Sequence, residues 1–487
     1  MPKLLTKSKY MNGLESYNLL WRAVNDPDSI PKPDEKAQAR FDFGKLIEDY
    51  AHHIYPNSIN LSEYGFIENI DKTKELMNSD KILFEAGFMT NRLYTRSDII
   101  IPNKDTNSYE IIEIKSGTRI KDEHINDLAF QRYVLTKSGY KVDKCCVMNI
   151  NNKYVKDGDI KPELLLKLTD VTQDVDKASE GIEERVNEMI SIIDQKECPE
   201  ITIKDLSTIK FATFLYDEFL SEYPENNVFD LYDCKMKKKC ALWTKGYRLI
   251  KDIPDEELDS KQIIQKKTII EGKPHINSSA IKEFIDSLEY PIYHLDFESI
   301  NGGVPVIDGT KPYQQIPFQY SLHIENEDGS IVHKEFIHSE QSDPRIEFGK
   351  SLINDLGKKG TIFAYHDTYE KTRLREIKKK YAEFESDFNK IIDRFKDLKK
   401  PFSSFNFYDP RQDGSCSIKN VLPIFSDLRH SNLNISSGED AAAVYLSLIY
   451  GNNITEPEKV KKDLLEYCKL DTYSMVILLD GLRKCIS

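Results

Sequence analysis

The stretch YHLDFESI, residues 293–300, carries two acids, Asp296 and Glu298, inside an otherwise mostly apolar run. Successive side chains of a β-strand alternate between its faces, so a strand here sends both acids to one face and Phe297 to the other. Two neighbouring buried carboxylates repel each other, which costs free energy unless cations bind between them. The pattern therefore predicts a cation site on one face of a buried strand.

Two later stretches supply the further acids that such a site needs. In DLLEYCKLDTYSMVILL (463–479), Tyr467 and Asp471 are four residues apart and share one face of a predicted helix. In FAYHDTYEKTRL (363–374), a predicted strand-to-helix junction offers Glu370 or Asp367. A two-metal site for phosphodiester hydrolysis uses carboxylates in this way, with Asp471 completing the metal shell and Tyr467 orienting the water.

In chain order the motifs are Asp-x-Glu, His-x-x-Tyr-Glu and Tyr-x-x-x-Asp. This order resembles the DEDD 3′–5′ exonucleases of the RNase H-like superfamily, in their tyrosine subtype. The resemblance implies that Tyr467 is catalytic and that the metal ligands are Asp296, Glu298, Glu370 and Asp471. The family's middle motif is usually Asn-x-x-Phe-Asp, which favours Glu370 over Asp367 and puts a longer side chain at that position. Residues 288–487 also resemble a bacterial domain family of uncharacterised activity, through LDFESINGGVPVIDGTKPYQQIPFQYSLHI and DGSCSIKNVLP.

Two segments near these acids carry side chains suited to nucleic acid. Aromatic residues in KPYQQIPFQYS (311–321) can stack on unpaired bases, although core packing is the alternative and is favoured for Phe318. The hydroxyls and ammonium of GSCSIK (414–419) can hold phosphates, although Ser417 would also serve as a helix N-cap. The predicted nucleic-acid-binding residues are Tyr313, Gln319, Tyr320, Ser415, Ser417 and Lys419.

A second constellation lies in the N-terminal part of the chain. In YEIIEIKSG (109–117), Glu113 and Lys115 face the same side of a predicted strand, and Asp98 lies on the preceding strand, SDIIIPN (97–103). Two carboxylates beside a lysine form a hard oxygen site for Mg²⁺ or Mn²⁺, where the lysine can stabilise charge on a phosphate. The alternative interpretation is a solvated salt-bridge face of the strand.

The text around that constellation, FEAGF, RSDIII and IIEIKSGTRIKDEHINDLAFQRYVL, resembles the PD-(D/E)XK core of RecB-type nucleases. The similarity is closest to the RecB-like nucleases of CRISPR adaptation. It implies metal binding by Asp98 and Glu113, a catalytic Lys115, and supporting roles for Glu85 and Gln131. Many such nucleases carry a histidine in the upstream helix. The candidates for that position here are Glu48, His52 and His53.

Several relatives of that nuclease class also hold an iron–sulfur cluster through four cysteines. Here Ser16 stands in the region of the N-terminal ligand, and only Cys234 and Cys240 lie close together in a basic loop. Four thiolates are needed, so no cluster is expected. The expected cofactor is Mg²⁺ or Mn²⁺.

Length and composition set the organisation. A chain of 487 residues predicts two or three domains. We expect an α/β protein with a restriction-endonuclease-like domain (1–155), a helical connector with the cysteine loop (156–285) and an RNase H-like domain (286–487). The net charge of −13 argues against coating nucleic acid non-specifically and leaves room for local basic patches. Without an apolar stretch of membrane length, a cytoplasmic location is expected.

These patterns together predict a metal-dependent nuclease that hydrolyses DNA, with single-stranded ends as the substrate of the C-terminal site. RNA trimming is one alternative. Another is a nucleic-acid-binding subunit of a repair, CRISPR or defence complex in which one or both sites are inactive. A metal-binding regulatory protein is the third.

Overall fold

The computed structural model describes residues 3–33, 35–429, 435, 437–451 and 456–486. The chain forms two compact units. The first is Met1–Tyr223 with Gly303–Pro312, and the second is Pro224–Gly302 with Tyr313–Ser487. Both contain helices packed on a β-sheet, which confirms the predicted α/β class.

These units divide the chain differently from the predicted three segments. The predicted connector, 156–285, is shared, since its first part up to Tyr223 belongs to the first unit. The reason is that Leu166–Asp170 pairs with the sheet of the first unit, and the helices after it bury Val175 and Val186 in the first unit's core. The excursion Gly303–Pro312 is tied to the same unit by backbone bonds between Lys156 and residues 309–310.

The first unit is a mixed sheet with helices on both faces. Its strands are β1 (Leu5–Thr6), β2 (Ile59–Asn60), β3 (Leu83–Thr90), β4 (Leu93–Asn103), β5 (Ser108–Lys115), β6 (Val142–Ile150) and β7 (Leu166–Asp170). Its helices are α1 (Lys7–Glu15), α2 (Tyr17–Asn25), α3 (Glu35–Ile54), α4 (Phe66–Leu76), α5 (Asp122–Lys137), α6 (Pro162–Leu165), α7 (Thr172–Ser179), α8 (Ile182–Ile193), α9 (Ile203–Thr208) and α10 (Thr213–Ser221).

The strand order in this sheet is β2-β3-β4-β5-β6-β7, and β1 pairs in parallel with β4. Strands β3, β4 and β5 form an antiparallel meander, and α5 carries the chain to β6, which is parallel to β5. The isoleucine-rich β5 alternates between two cores, because Ile111 packs in one and Ile112 in the other. Glu113 and Lys115 lie on the Ile111 face, toward α5.

The second unit has a smaller mixed sheet. Its strands are β8 (His275–Ile276), β9 (Ile292–Ile300), β10 (Ile316–Glu325), β11 (Ile331–Ile337), β12 (Ile362–Ala364), β13 (Phe395–Asp397) and β14 (Phe407–Tyr408). Its helices are α11 (Met236–Thr244), α12 (Ser260–Glu271), α13 (Ser278–Asp286), α14 (Arg345–Leu356), α15 (Thr368–Lys380), α16 (Glu385–Asp393), α17 (Lys400–Ser403), α18 (Ile418–Phe425), α19 (Gly438–Tyr450) and α20 (Pro457–Lys484).

The five-stranded sheet of this unit has the order β11-β10-β9-β12-β13, so the acid-bearing β9 is central. Strands β12 and β13 run parallel to β9, while β10 is antiparallel to both of its neighbours. One face of β9 packs Leu295 and Phe297 against α14 and its neighbours. The long helix α20 crosses the other face, and its apolar residues Met475 and Leu479 join a second core there.

A helix that crosses a membrane must be both long and predominantly apolar. Within the described ranges, no helix combines the length and the apolar character that crossing a membrane requires.

Candidate functional site

The first carboxylate cluster forms where strands β4 and β5 separate. Their pairing ends at Ile99 and Ile112, and β5 continues beside β6 alone. The next free amide, that of Ile114, donates instead to Asp98 Oδ2 at 2.7 Å. The Asp98 side chain thus replaces a lost ladder hydrogen bond and is fixed beside Glu113.

Two lysines neutralise this cluster. Lys115 Nζ lies 2.5 Å from Glu113 Oε1 and 3.2 Å from Asp127 Oδ2. Lys7, at the start of α1, lies 3.1 Å from Glu113 Oε1, 3.6 Å from Asp98 Oδ1 and 3.7 Å from Asp127 Oδ1. Gln131 Nε2 donates to Glu113 Oε2 at 2.5 Å and to Asp127 Oδ1 at 2.9 Å. The structure therefore brings the predicted Asp98, Glu113, Lys115 and Gln131 together and adds Lys7 and Asp127 to them.

The charges of this cluster compensate one another. Burial alone would raise the pKa of Glu113, but Lys115 and Lys7 hold that pKa below its ordinary value. Burial and the neighbouring Glu113 raise the pKa of Asp98 to about 7, and they raise that of Asp127 as well. Glu113 is thus the acid of this cluster that loses its proton most readily. Asp98 and Asp127 retain their protons more readily than isolated carboxyl groups do.

Two further acids border this cluster. Glu85 adopts a left-handed backbone (φ 57°) at the point where β3 skips its pairing with Asp98. Its carboxylate lies 3.6 Å from the guanidinium of Arg96. On α3, burial together with Asp98 and Glu113 raises the pKa of Glu48. The charges of the cluster therefore act on Glu48 of α3.

The two histidines that follow Glu48 have other contacts. The ring of His52 stacks on Phe84 at 3.7 Å between centroids. The Nδ1 of His53 bonds the carbonyl of Asp49 at 2.6 Å.

The second cluster forms between β9 and helices α15 and α20. Asp296 and Glu298 lie on the face of β9 that α20 covers, as the alternation of the strand requires. Cys468, which α20 buries fully, has its Sγ 3.5 Å from Asp296 Oδ2. A cavity of about 420 Å³ lies at this place, and its lining includes Asp296, Glu298, Tyr467 and Asp471. The predicted strand and helix residues therefore meet at one place.

Glu370 joins this cluster from the first turn of α15. It is 4% exposed, and its Oε2 has no hydrogen-bond partner in the part of the chain that the structure describes. Its charge acts on Asp296 and Glu298. The rival candidate Asp367 is the residue just before α15 and pairs with Lys371. The structure thus favours Glu370 as the third acid.

The electrostatics of this second cluster differ from those of the first. Burial, followed by Asp471 and Glu370, raises the pKa of Glu298 to about 8. Burial is also the main cause that raises the pKa of Glu370 to about 8, and it raises that of Asp296 well above the ordinary value together with Asp471. Among the described residues, no lysine or arginine forms an ion pair with Asp296, Glu298 or Glu370. Burial and mutual repulsion therefore dominate the electrostatics of these three acids, and they outweigh the opposing charge of Arg373 on Glu370.

The two clusters differ in their fit to a divalent ion. Mg²⁺ and Mn²⁺ prefer carboxylate oxygens, and the buried unpaired oxygen of Glu370 beside two mutually repelling acids fits such an ion. At the first cluster the ammonium of Lys7 already lies among oxygens of three carboxylates. The first cluster thus already contains a positive charge from the chain.

The structure places two of the predicted nucleic-acid-binding residues in the interior. Tyr320 is fully buried, and its hydroxyl bonds Ser351 and Asp355. Gln319 is also fully buried and donates to the carbonyl of Leu464 at 2.7 Å. Neither side chain offers a surface to a base, because β10 is covered on both faces. Phe318 is buried as expected.

The other four predicted binding residues lie nearer to solvent. Tyr313 is 41% exposed. Ser417 caps α18 by accepting from the amide of Asn420, which is the alternative that the sequence left open. Ser415 accepts from the amide of Ser417 at 3.2 Å, and Lys419 is exposed. The two serine oxygens therefore already accept backbone hydrogen bonds.

The structure gives the positions of the cysteines and of Ser16. Cys240 is buried in α11, and Cys234 lies in the segment before it, both in the second unit. In the first unit, Ser16 caps α2, and Asn18 of that helix donates to Cys198 Sγ at 3.3 Å.

Lys7, Asp127, Cys468 and Glu439 are the site residues that sequence reasoning missed. Asp127 precedes Gln131 by one helical turn, so its spacing was a usable signal. Cys468 directly follows Tyr467 on α20. Glu439, at the start of α19, lines the cavity of the second cluster, and the sequence offered no motif at this position. Lys7 is 106 residues away from Glu113 in the chain, and no local pattern links them.

Comparisons with known proteins cover both units. Residues 293–417, which contain Asp296, Glu298 and Glu370, match a family model described as a domain of unknown function, DUF2779. The chain is 25% identical over 291 residues to "Uncharacterized protein MG366 homolog" of Mycoplasma pneumoniae, covering 54% of this chain and 42% of that protein. It is 23% identical to "Uncharacterized protein MG366" of Mycoplasma genitalium, covering 82% of this chain and 66% of that protein. The chain thus spans less than two thirds of the length of these two relatives.

One solved structure is also similar. It is titled "Crystal structure of SSO0001" and is 11% identical, with a TM-score of 0.19. The match covers 44% of this chain and 88% of that chain.

Proposed function

We propose that the second unit is a metal-dependent 3′–5′ exonuclease that acts on single-stranded DNA ends. One observation carries the proposal: Asp296 and Glu298 of β9 and Asp471 of α20 line one cavity, and their mutual repulsion, with that of Glu370 on α15, adds to burial in raising the pKa values of Asp296 and Glu298. Folding such a group costs free energy, and bound divalent cations would recover it. The site is thus suited to binding positive charge.

Each residue has a role in this proposal. Asp296, Glu298, Glu370 and Asp471 hold the cations. Divalent ions bound by these residues would supply an activated water and would stabilise the leaving oxygen of the phosphodiester. Burial and Asp471 raise the pKa of Tyr467, so its hydroxyl stays protonated and can donate a hydrogen bond. We assign Tyr467 to orienting the attacking water.

The fold of the second unit supports the same conclusion. A five-stranded mixed sheet with the acids on its central strand, covered by α20, is compatible with the RNase H-like architecture expected from the motifs. The cavity is lined by Tyr365 and Tyr369 beside the acids. A pocket of about 420 Å³ has the size of a small-molecule site, and it suits the terminal nucleotide of a single strand better than a duplex.

The experiment that tests the proposal follows the ends of a single-stranded oligonucleotide. A 5′-labelled strand with a free 3′ hydroxyl should shorten stepwise with Mg²⁺ or Mn²⁺, and a 3′-phosphorylated strand should resist. A matched strand blocked at its 5′ end should be degraded normally. Degradation from 5′ ends, or equal degradation of the 3′-blocked strand, would defeat the proposal. An RNA strand of the same sequence tests the RNA-trimming alternative.

A second candidate function concerns the first unit alone. Its cluster resembles that of a nuclease in residue types, but Lys7 balances its charge. This contact argues against cleavage by the first unit and leaves a nucleic-acid-binding role as its candidate function. Binding of single-stranded DNA by a protein whose Asp296 has been replaced by alanine, without cleavage, is the expected result.

A further inference from the structure

The ammonium of Lys7 lies where the carboxylates of the first cluster converge. Four oxygens surround it: both oxygens of Glu113 at 3.1 and 3.2 Å, one of Asp98 at 3.6 Å, and one of Asp127 at 3.7 Å. Three acids supplied by β4, β5 and α5 thus share one cation. The Lys7 side chain is only 24% exposed and that of Glu113 is 2% exposed, so water screens these charges weakly.

The backbone on both sides of Lys7 is anchored. Before it, Leu5 is fully buried and pairs with Leu93 of β4. Thr6 then caps α1 by accepting from the amide of Lys9. After it, Tyr10 is fully buried and stacks on Phe130 of α5 at 4.6 Å between ring centroids. The anchored residues before and after Lys7 therefore fix the position of its backbone beside the cluster.

A divalent ion among the same oxygens would need them at about 2.0–2.6 Å, which places it within the space that the ammonium holds. Two cations at such a separation repel strongly in a site that water screens weakly. Lys115 adds a second ammonium at 2.5 Å from Glu113, so the cluster holds two positive charges against three acids. Little charge remains to attract a third cation.

We propose that Lys7 is the resident cation of the first cluster and that a divalent ion binds there only when Lys7 is removed or displaced. The first unit then keeps a nuclease-like set of acids in a form that needs no metal. This inference is independent of the exonuclease proposed for the second unit, because it concerns different residues and a different outcome.

The test measures how many Mn²⁺ ions the full chain binds and how tightly it binds them. Titration calorimetry gives both quantities, and the electron paramagnetic resonance signal of free Mn²⁺ measures them independently. Lys7→Met should bind one more Mn²⁺ per chain than the wild type, with a dissociation constant at least tenfold lower than any wild-type binding at that cluster. Lys9→Met, which alters a half-buried lysine of the same helix that forms no ion pair with Asp98, Glu113 or Asp127 among the described residues, should match the wild type. Adding Glu113→Gln to Lys7→Met should abolish the extra site.

Equal numbers and affinities in the wild type and Lys7→Met would overturn the proposal. The quantity compared is the difference in bound Mn²⁺ between Lys7→Met and the wild type, so it does not depend on how many ions the second unit binds.

A second measurement uses the wild-type chain and does not depend on how well a variant folds. Lysine acylation followed by mass spectrometry should modify Lys7 at least tenfold more slowly than Lys9. That protection should persist at Mn²⁺ concentrations that saturate the tightest binding. Labelling of Lys7 as fast as Lys9, or loss of its protection at those concentrations, would show that it is not the resident cation.

Discussion

The two carboxylate clusters use the same pattern, acids two residues apart or facing each other on strands, but they balance their charge in different ways. In the first, Lys7 and Lys115 hold the pKa of Glu113 low. In the second, burial and the other acids raise the pKa of Glu298 to about 8. A similar arrangement of acids therefore gives a self-neutralised network in one unit and an unsatisfied one in the other.

This difference shows that the cation partner decides what a group of acids can do. Lysines that reach a cluster turn it into buried salt bridges, which are costly to break. Where no such lysine reaches, the acids either retain protons or bind an added cation. A nuclease assignment that counts acids alone would treat the two clusters as equal.

The largest effect is expected from Asp296→Ala. The change removes a ligand from the second cluster, and we expect loss of 3′-end degradation by about 10³-fold or more, since bound metal is worth several kcal/mol to the transition state. Initial rates on a 5′-labelled single strand measure it. Glu327→Ala, an exposed acid in the turn after β10, is the control and should keep the wild-type rate. A nuclease rate unchanged by Asp296→Ala would remove the second cluster from catalysis.

Tyr467→Phe should have a smaller effect. It deletes one hydroxyl that orients water and leaves the carboxylates in place, so we expect a rate loss of about 10²-fold. Mn²⁺ affinity should stay within a few-fold of the wild type, which separates this variant from Asp296→Ala. A weakened Mn²⁺ affinity would instead mean that the tyrosine supports the ligands.

The sequence made some parts of these sites predictable and hid others. Asp296 with Glu298, and Tyr467 with Asp471, follow from local spacing, because strand and helix periodicity fixes which side chains share a face. Glu370 came from a motif at a strand-to-helix junction. Each of these depends on a few consecutive residues.

The failures have physical causes too. The pairing of β9 and β10 shifts register between Pro317 and Gln319, and such a bulge breaks the alternation by which an exposed aromatic could be inferred. Tyr320 itself lies in the core because β10 is covered on both faces, so neither side of this strand is exposed. Lys7 reaches Glu113 only through the tertiary fold, since β1 must first pair with β4. No pattern within a short window contains that contact.

Neutralising one acid in each cluster should move metal-free stability in opposite directions. Glu113→Gln leaves Lys7 and Lys115 short of a buried partner and should destabilise the first unit by about 3 kcal/mol. Glu298→Gln relieves repulsion and should stabilise the second unit by about 1–2 kcal/mol. Hydrogen exchange of peptides covering 109–115 and 292–300, with a chelator present, assigns each change to its unit. Shifts of the same sign in both would show that the clusters do not differ as described.

The contrast between the clusters also predicts a pH dependence of the second unit without metal. The folded pKa of Glu298, about 8, lies above its ordinary value of 4.5, so between these values the folded state keeps a proton that the unfolded state has lost. Rising pH then favours unfolding, by up to about 1.4 kcal/mol per pH unit for one such group, and Asp296 and Glu370 act in the same direction.

Exchange of the 292–300 peptide with a chelator should therefore speed up, beyond the intrinsic pH effect, from about pH 5 to about pH 8. Glu298→Gln should flatten this trend, while Glu113→Gln should leave it unchanged. Saturating Mn²⁺ should reverse it, because carboxylates must lose their protons to bind metal. A second unit that gains stability with rising pH in the chelator would show that its acids are compensated after all, as those of the first cluster are.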